Sequence, residues 1–123
     1  PTDPIDAFFS GKLALSRQKI AQLNELIAVR SKLQAESLSQ IDYQISVAAQ
    51  SLSEFHSWGV GYNQGVDMKR NHLERQLAIF RRERRDSRLK TWQDLAGLRR
   101  ELNEAVTEYQ ELFRRYRVTE SKG

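Results

Sequence analysis

Two long heptad stretches flank a single glycine-aromatic loop, and no other feature limits the fold as strongly. In the first stretch Ile20, Leu23 and Ile27 keep a three-four spacing, and Leu38, Ile41, Ile45, Ala48, Leu52 and Phe55 keep a second. In the second stretch Leu77 and Phe80 keep one, and Leu95, Leu98, Leu102, Ala105, Tyr109, Leu112 and Tyr116 keep another. Apolar residues so spaced line one face of an α-helix and pack against a partner helix. Equivalent positions across each interruption, Ile20 to Leu38 and Leu77 to Leu95, lie 18 residues apart, two heptads plus four. An insertion of four is a stutter, which locally unwinds a coiled coil. The interruptions centre near residues 29 and 86 and mirror each other about a point near 57 or 58, where the loop begins. A chain reversed at that point brings the two breaks roughly face to face. The expected fold is all-α, a long antiparallel two-helix coiled-coil hairpin.

The boundaries follow from local signals. Asp3 is a cap, Pro4 suits the first helical position, and Asp6 complements the positive end of the dipole. The first helix is expected over residues 4–56, with a weak point at Ser10-Gly11 because glycine costs roughly 1 kcal/mol against alanine. Glycines 59, 61 and 65 place the loop at about 57–66. Asn63 or Asp67 can cap the second helix, and Asn71 with Glu74 forms a later capping box. That helix is expected over 67–118, with a frayed tail at 119–123. Residues 1–123 thus make one helical-hairpin domain.

Composition removes several classes of function. With no cysteine, disulfides and thiolate metal sites are excluded. No apolar run reaches membrane-span length and no signal peptide is visible, so a cytoplasmic protein is expected. Pro1 in place of methionine fits either removal of an initiator Met or excision from a longer chain. Charge is uneven: residues 1–61 hold five Lys/Arg against six Asp/Glu, and residues 62–123 hold fifteen against ten. Such asymmetry bears on partners more than on fold.

Toward the chain termini the apolar stripe broadens. Leu26 and Leu33 widen it on the first helix, and Trp92, Val106 and Phe113 widen it on the second. A two-helix seam cannot bury so wide a face. Either the N-terminal segment with Ile5, Phe8 and Phe9 folds over it, or a second hairpin does, giving a dimeric four-helix bundle. Dimerisation is the favoured expectation, with Leu26, Leu33, Trp92, Val106 and Phe113 as its face. Tyr43, Val47 and Ile79 stand off the seam and matter only if a dimer clusters them.

Two further features bear on partners. Residues 69–90 contain nine Lys/Arg and three Asp/Glu, and Arg81, Arg82, Arg84, Arg85 and Arg88 form the basic patch. Guanidinium groups bind phosphate bidentately, but a solvated helix flank pairing with its own acids carries the same composition. Arg84 continues the Leu77–Phe80 seam, and Arg30 with Gln34 continues the opposing one, which makes the middle a hinge, a register lock or a binding site. In the loop region Phe55, Trp58 and Tyr62 suit docking to a protein partner, although aromatics there also serve to plug the end of the seam. His56 and His72 lack neighbours with ligand spacing, and the serines lack an elbow or a base. No catalytic, metal or cofactor site is expected.

Two helical families share parts of this plan. In length, charge and hairpin organisation the whole chain resembles the coiled-coil stalk proteins of flagellar and type III export ATPases, which implies insertion into an ATPase ring. The turn Trp58-Gly59-Val60-Gly61 and the spacing Tyr116-x-x-x-Glu120 resemble the small secreted hairpins with a Trp-any-Gly turn and a C-terminal export signal. Here Gly59 follows Trp58 directly, a departure from that turn. Either resemblance implies a secretion-associated hairpin. The leading expectation from the residues themselves is a non-enzymatic coiled-coil adaptor that binds a protein and self-associates, with nucleic-acid binding through residues 69–90 as the alternative.

Overall fold

The computed structural model describes residues 3–57 and 64–122, which form two helices, α1 (Pro4–Ser57) and α2 (Gln64–Lys122). The protein is an all-α helical hairpin, with no strand among the described residues. At the start of α1 the Ile5 amide donates to Asp3 Oδ1 at 3.0 Å, and the Ala7 amide donates to the Asp3 carbonyl at 3.0 Å. Asp3 is thus the cap, and Pro4, lacking a donor, takes the position where none is required. The helix continues without interruption through Gly11. Its neighbours explain why: Leu13 is buried and the Phe9 ring sits 5.8 Å from that of Tyr116. Packing of an apolar face outweighs one glycine.

Helix α2 begins directly after Asn63, one of the two expected caps, which itself lies outside the described residues. Its first residue is Gln64, so Asp67 stands in the first turn bonded to Arg70, and Asn71 and Glu74 are interior positions instead of a capping box. At the far end the helix runs to Lys122. There the Thr119 hydroxyl donates to the Arg115 carbonyl at 3.0 Å, a bond that helical geometry itself permits.

The chain divides into two compact units, Pro1–Ser31 with Gln93–Gly123, and Lys32–Trp92. In the first, Phe9 meets Tyr116 and Arg30 pairs with Asp94, so α1 and α2 run antiparallel. The seam joins Leu13, Ile20, Leu23 and Ile27 to Leu95, Leu98, Leu102, Ala105 and Leu112, with Ala105 only 1% exposed. In the second unit Leu38, Ile41, Ile45, Ala48 and Leu52 line α1, and Leu73, Leu77, Phe80, Arg84, Ser87 and Thr91 line α2. Among the described residues no large side chain is fully buried. Each seam residue of a two-helix pair has neighbours ahead of it but water at its flanks.

Both expected stutters are visible as pairs of four-residue steps, Leu23–Ile27–Ser31 on α1 and Ser87–Thr91–Leu95 on α2. Two details are corrected. The seam passes through half-buried Ser31, not Arg30, which is exposed and reaches sideways to Asp94. The facing pairs Phe9–Tyr116, Arg30–Asp94 and Asp42–Arg84 mirror about a point near residue 62, not 57 or 58. Helix α1 persists to Ser57 and α2 starts at Gln64, which moves the reversal later than the first loop residue. In that register Ile27 faces the region of 97 and 98, so the break centred on Ile27 does not face the one centred on Thr91.

Candidate functional site

In the Pro1–Ser31 with Gln93–Gly123 unit, the sequence-derived dimer residues Leu26 and Phe113 are exposed and Val106 is half-buried. The Phe113 ring lies nearly parallel to that of Tyr109, centroids 6.3 Å apart, and the Arg117 guanidinium sits 5.8 Å from its centre. In the Lys32–Trp92 unit, Leu33 is exposed and Trp92 is 65% exposed. An indole so open contributes little to the hairpin that carries it.

The basic patch splits into two roles. Arg84 occupies the seam, and its Nε donates to Asp42 Oδ1 across the helix pair at 2.7 Å. Arginine at a seam position, paired with a cross-helix carboxylate, favours the register in which the two stand opposite. Arg81, Arg82, Arg85 and Arg88 are exposed, and among the described residues none of them forms an ion pair. Arg81, Arg85 and Arg88 share one helix face with Trp92, three or four residues apart in turn.

Of the loop-region residues, Phe55 is half-buried on the α1 seam, while Trp58 and Tyr62 lie outside the described residues. His72 is exposed, and no cluster of three His, Asp or Glu positioned to hold a metal occurs among the described residues. No helix of the described residues is long and apolar enough to cross a membrane.

One feature escaped the sequence reading. The exposed large apolar residues of α1 are Ile5, Phe8, Leu15, Leu26, Val29, Leu33, Tyr43 and Val47. All eight lie on one alternation of three- and four-residue steps, completed by Lys12, Lys19, Gln22, Glu36 and Gln40, without a stutter. This second track lies one residue before the seam from Lys12 to Leu26; past the seam's stutter it turns farther from the seam, and Tyr43 stands two residues from both Ile41 and Ile45. It was hard to see because Tyr43 and Val47 read singly as exposed apolar residues, and polar residues interrupt the stripe. In the first unit it borders an open groove of about 620 Å³, in which Leu15 and Lys19 face Glu108 and Leu112. In the second, Tyr43 and Val47 border a smaller groove against Leu73 and Phe80.

Glu111, on the first groove, accepts from Arg114 at 2.7 Å and Arg115 at 3.3 Å. The Arg114 hydrogen bond holds its carboxyl below the ordinary glutamate range; partial desolvation opposes this, and the Arg114 and Arg115 charges reinforce it.

Among the described residues, fold and surface define a helical hairpin that presents exposed apolar residues and an arginine face. No protein-family model, no curated protein and no solved structure matches the chain.

Proposed function

We propose that this protein is a non-enzymatic coiled-coil adaptor that self-associates and binds a protein partner. The observation that carries the reading is the order of its exposed apolar residues. Singly exposed apolar side chains are ordinary on any surface, but eight on one unbroken heptad track are not scattered. Each exposed leucine or tryptophan left in water forgoes on the order of 1 kcal/mol that a partner surface recovers. Trp92 and Phe113, on the other helix, are suited to anchor a protein partner, since large aromatics dominate binding hot spots.

Sedimentation over a hundredfold range of concentration, at low and high salt, tests the self-association. A dimer that persists in high salt supports an apolar interface, because screening weakens only charge contacts between exposed groups. A monomer throughout removes self-association from the reading. For the protein partner, Trp92→Ala or Trp58→Ala reduces capture if these aromatics anchor it; capture unchanged by both substitutions removes them from the site.

A second reading rests on a separate observation. The four guanidiniums of Arg81, Arg82, Arg85 and Arg88 remain unpaired among the described residues. Such a face binds phosphates with an affinity that falls steeply with salt. Replacing all four by Gln abolishes polyanion binding on this reading and leaves helicity intact. Binding that survives the change discards it.

A further inference from the structure

The second track on α1 differs from the seam in one physical respect: its three-four alternation never breaks from Ile5 to Val47. An unbroken heptad repeat is the pattern that keeps two helices in register along a left-handed supercoil. The hairpin does not use it, since Leu26 is 52% and Val29 49% exposed. The charges bordering the track are also unused. Among the described residues Lys19, Glu25, Lys32 and Glu36 form no ion pair within the chain.

We infer that the track is a homodimer seam, in which α1 pairs with α1 of a second copy in antiparallel orientation, about a two-fold axis between Ile27 and Ala28. This rests on the self-association proposed above and specifies its face, direction and register. In that arrangement Leu26 of one copy meets Val29 of the other, and Phe8 meets Val47. Lys19 meets Glu36, and on the flank Glu25 meets Lys32. The two-fold axis makes each contact twice, as an isologous interface requires. These four charges acquire opposite partners, while Lys12 meets Tyr43 and the layers Leu15–Gln40 and Gln22–Leu33 are mixed.

The competing arrangements lack this match. A parallel dimer in register sets Lys12 against Lys12, Lys19 against Lys19 and Glu36 against Glu36, each a like-charge layer. An antiparallel dimer displaced by one heptad, with its axis at Asn24, sets Glu25 against Glu25 and leaves Lys19 beside Val29. Of these three arrangements, charge complementarity favours the antiparallel one centred between Ile27 and Ala28. In the Pro1–Ser31 with Gln93–Gly123 unit, a partner helix laid on the track lies along the groove that Leu15 borders. A second copy therefore covers apolar surface that the hairpin leaves open there.

The natural chain has no cysteine, so single spin labels are unambiguous. Gln18→Cys, Ser39→Cys and Ser46→Cys place labels at exposed positions on the same edge of the track. With the axis between 27 and 28, the helix rise of 1.5 Å per residue separates the paired labels by roughly 28, 35 and 55 Å. A parallel dimer gives short, nearly equal distances at all three sites. Leu26→Lys with Val29→Lys is expected to give a monomer with unchanged helicity, since both side chains are exposed in the hairpin. Lys19→Glu is expected to weaken the dimer ~tenfold, and Lys19→Glu with Glu36→Lys in the same chain to restore it. A wild-type monomer at about 100 μM, far above typical dimer dissociation constants, overturns self-association itself. A dimer with equal short distances, or one indifferent to the lysine pair, overturns only the α1 pairing.

Discussion

Leu77 and Ile79 lie two residues apart on α2 in the same compact unit, yet Leu77 is 7% exposed and Ile79 54%. Truncating either to alanine removes three carbons, worth about 2.4 kcal/mol when fully withdrawn from water at roughly 0.8 kcal/mol each. For Leu77 nearly all of that is lost. A modest cavity term adds to it, kept small because the open flanks of a two-helix seam admit water. For Ile79 about half is lost, near 1.1 kcal/mol, and the better helix propensity of alanine offsets a few tenths. The expected destabilisations are therefore about 2–3 kcal/mol for Leu77→Ala and below about 1 kcal/mol for Ile79→Ala. Urea unfolding followed by circular dichroism measures both, with equal slopes showing that the variants unfold from comparable states. Equal costs at the two sites would refute the assignment of the α2 seam, or show that another surface covers Ile79. A cost under about 0.5 kcal/mol at Leu77, typical of surface sites, would mean that the helix pair is not packed as described.

Other perturbations probe single contacts. A double-mutant cycle on Arg84→Ala and Asp42→Ala is expected to give a coupling of about 0.5 kcal/mol, small because the pair is exposed, and to vanish in high salt; a null coupling at low salt removes the register lock. Gly11→Ala and Gly97→Ala should each stabilise by up to about 1 kcal/mol, as each is a helical glycine with nothing within 4 Å of a built Cβ; destabilisation at either site contradicts the open space there. The Glu111 carboxyl should titrate below ordinary glutamate in an NMR pH series, and Arg114→Gln should move it back. Its pairing contributes stability above the unfolded-state pKa, which is lost as pH falls through the lowered folded value. An unshifted titration would show that the two arginines do not hold it in solution.

Much of the fold is legible in the residues because heptad spacing is a local property. Leu38 through Phe55 and Leu95 through Tyr116 keep their side chains on one helix face whatever they pack against. The Asp3-Pro4 cap is equally local and forms as read. The exposed candidates Leu26, Leu33, Trp92 and Phe113 also follow from spacing, since a stripe wider than a two-helix seam leaves its edges in water. The start of α2 was legible only as alternatives, and a helix beginning at Gln64 follows the Asn63 one. The Asp67 and Asn71 signals are the right chemistry for a helix start, but cooperative helix propagation from the packed region carries α2 back to Gln64 and on to Lys122.

What the residues settled alone is the type of element, the face each helix buries and the presence of a stutter in each. What the tertiary structure decided is which positions stand opposite one another. Register depends on where the reversal falls, and a shift of a few residues moves every facing pair while leaving each helix's own periodicity unchanged. That shift places Arg84 against Asp42, turns Arg30 outward to Asp94 and brings Ser31 into the seam. It also separates the two heptad tracks of α1, because only after α2 has covered one of them does the other stand out as uncovered.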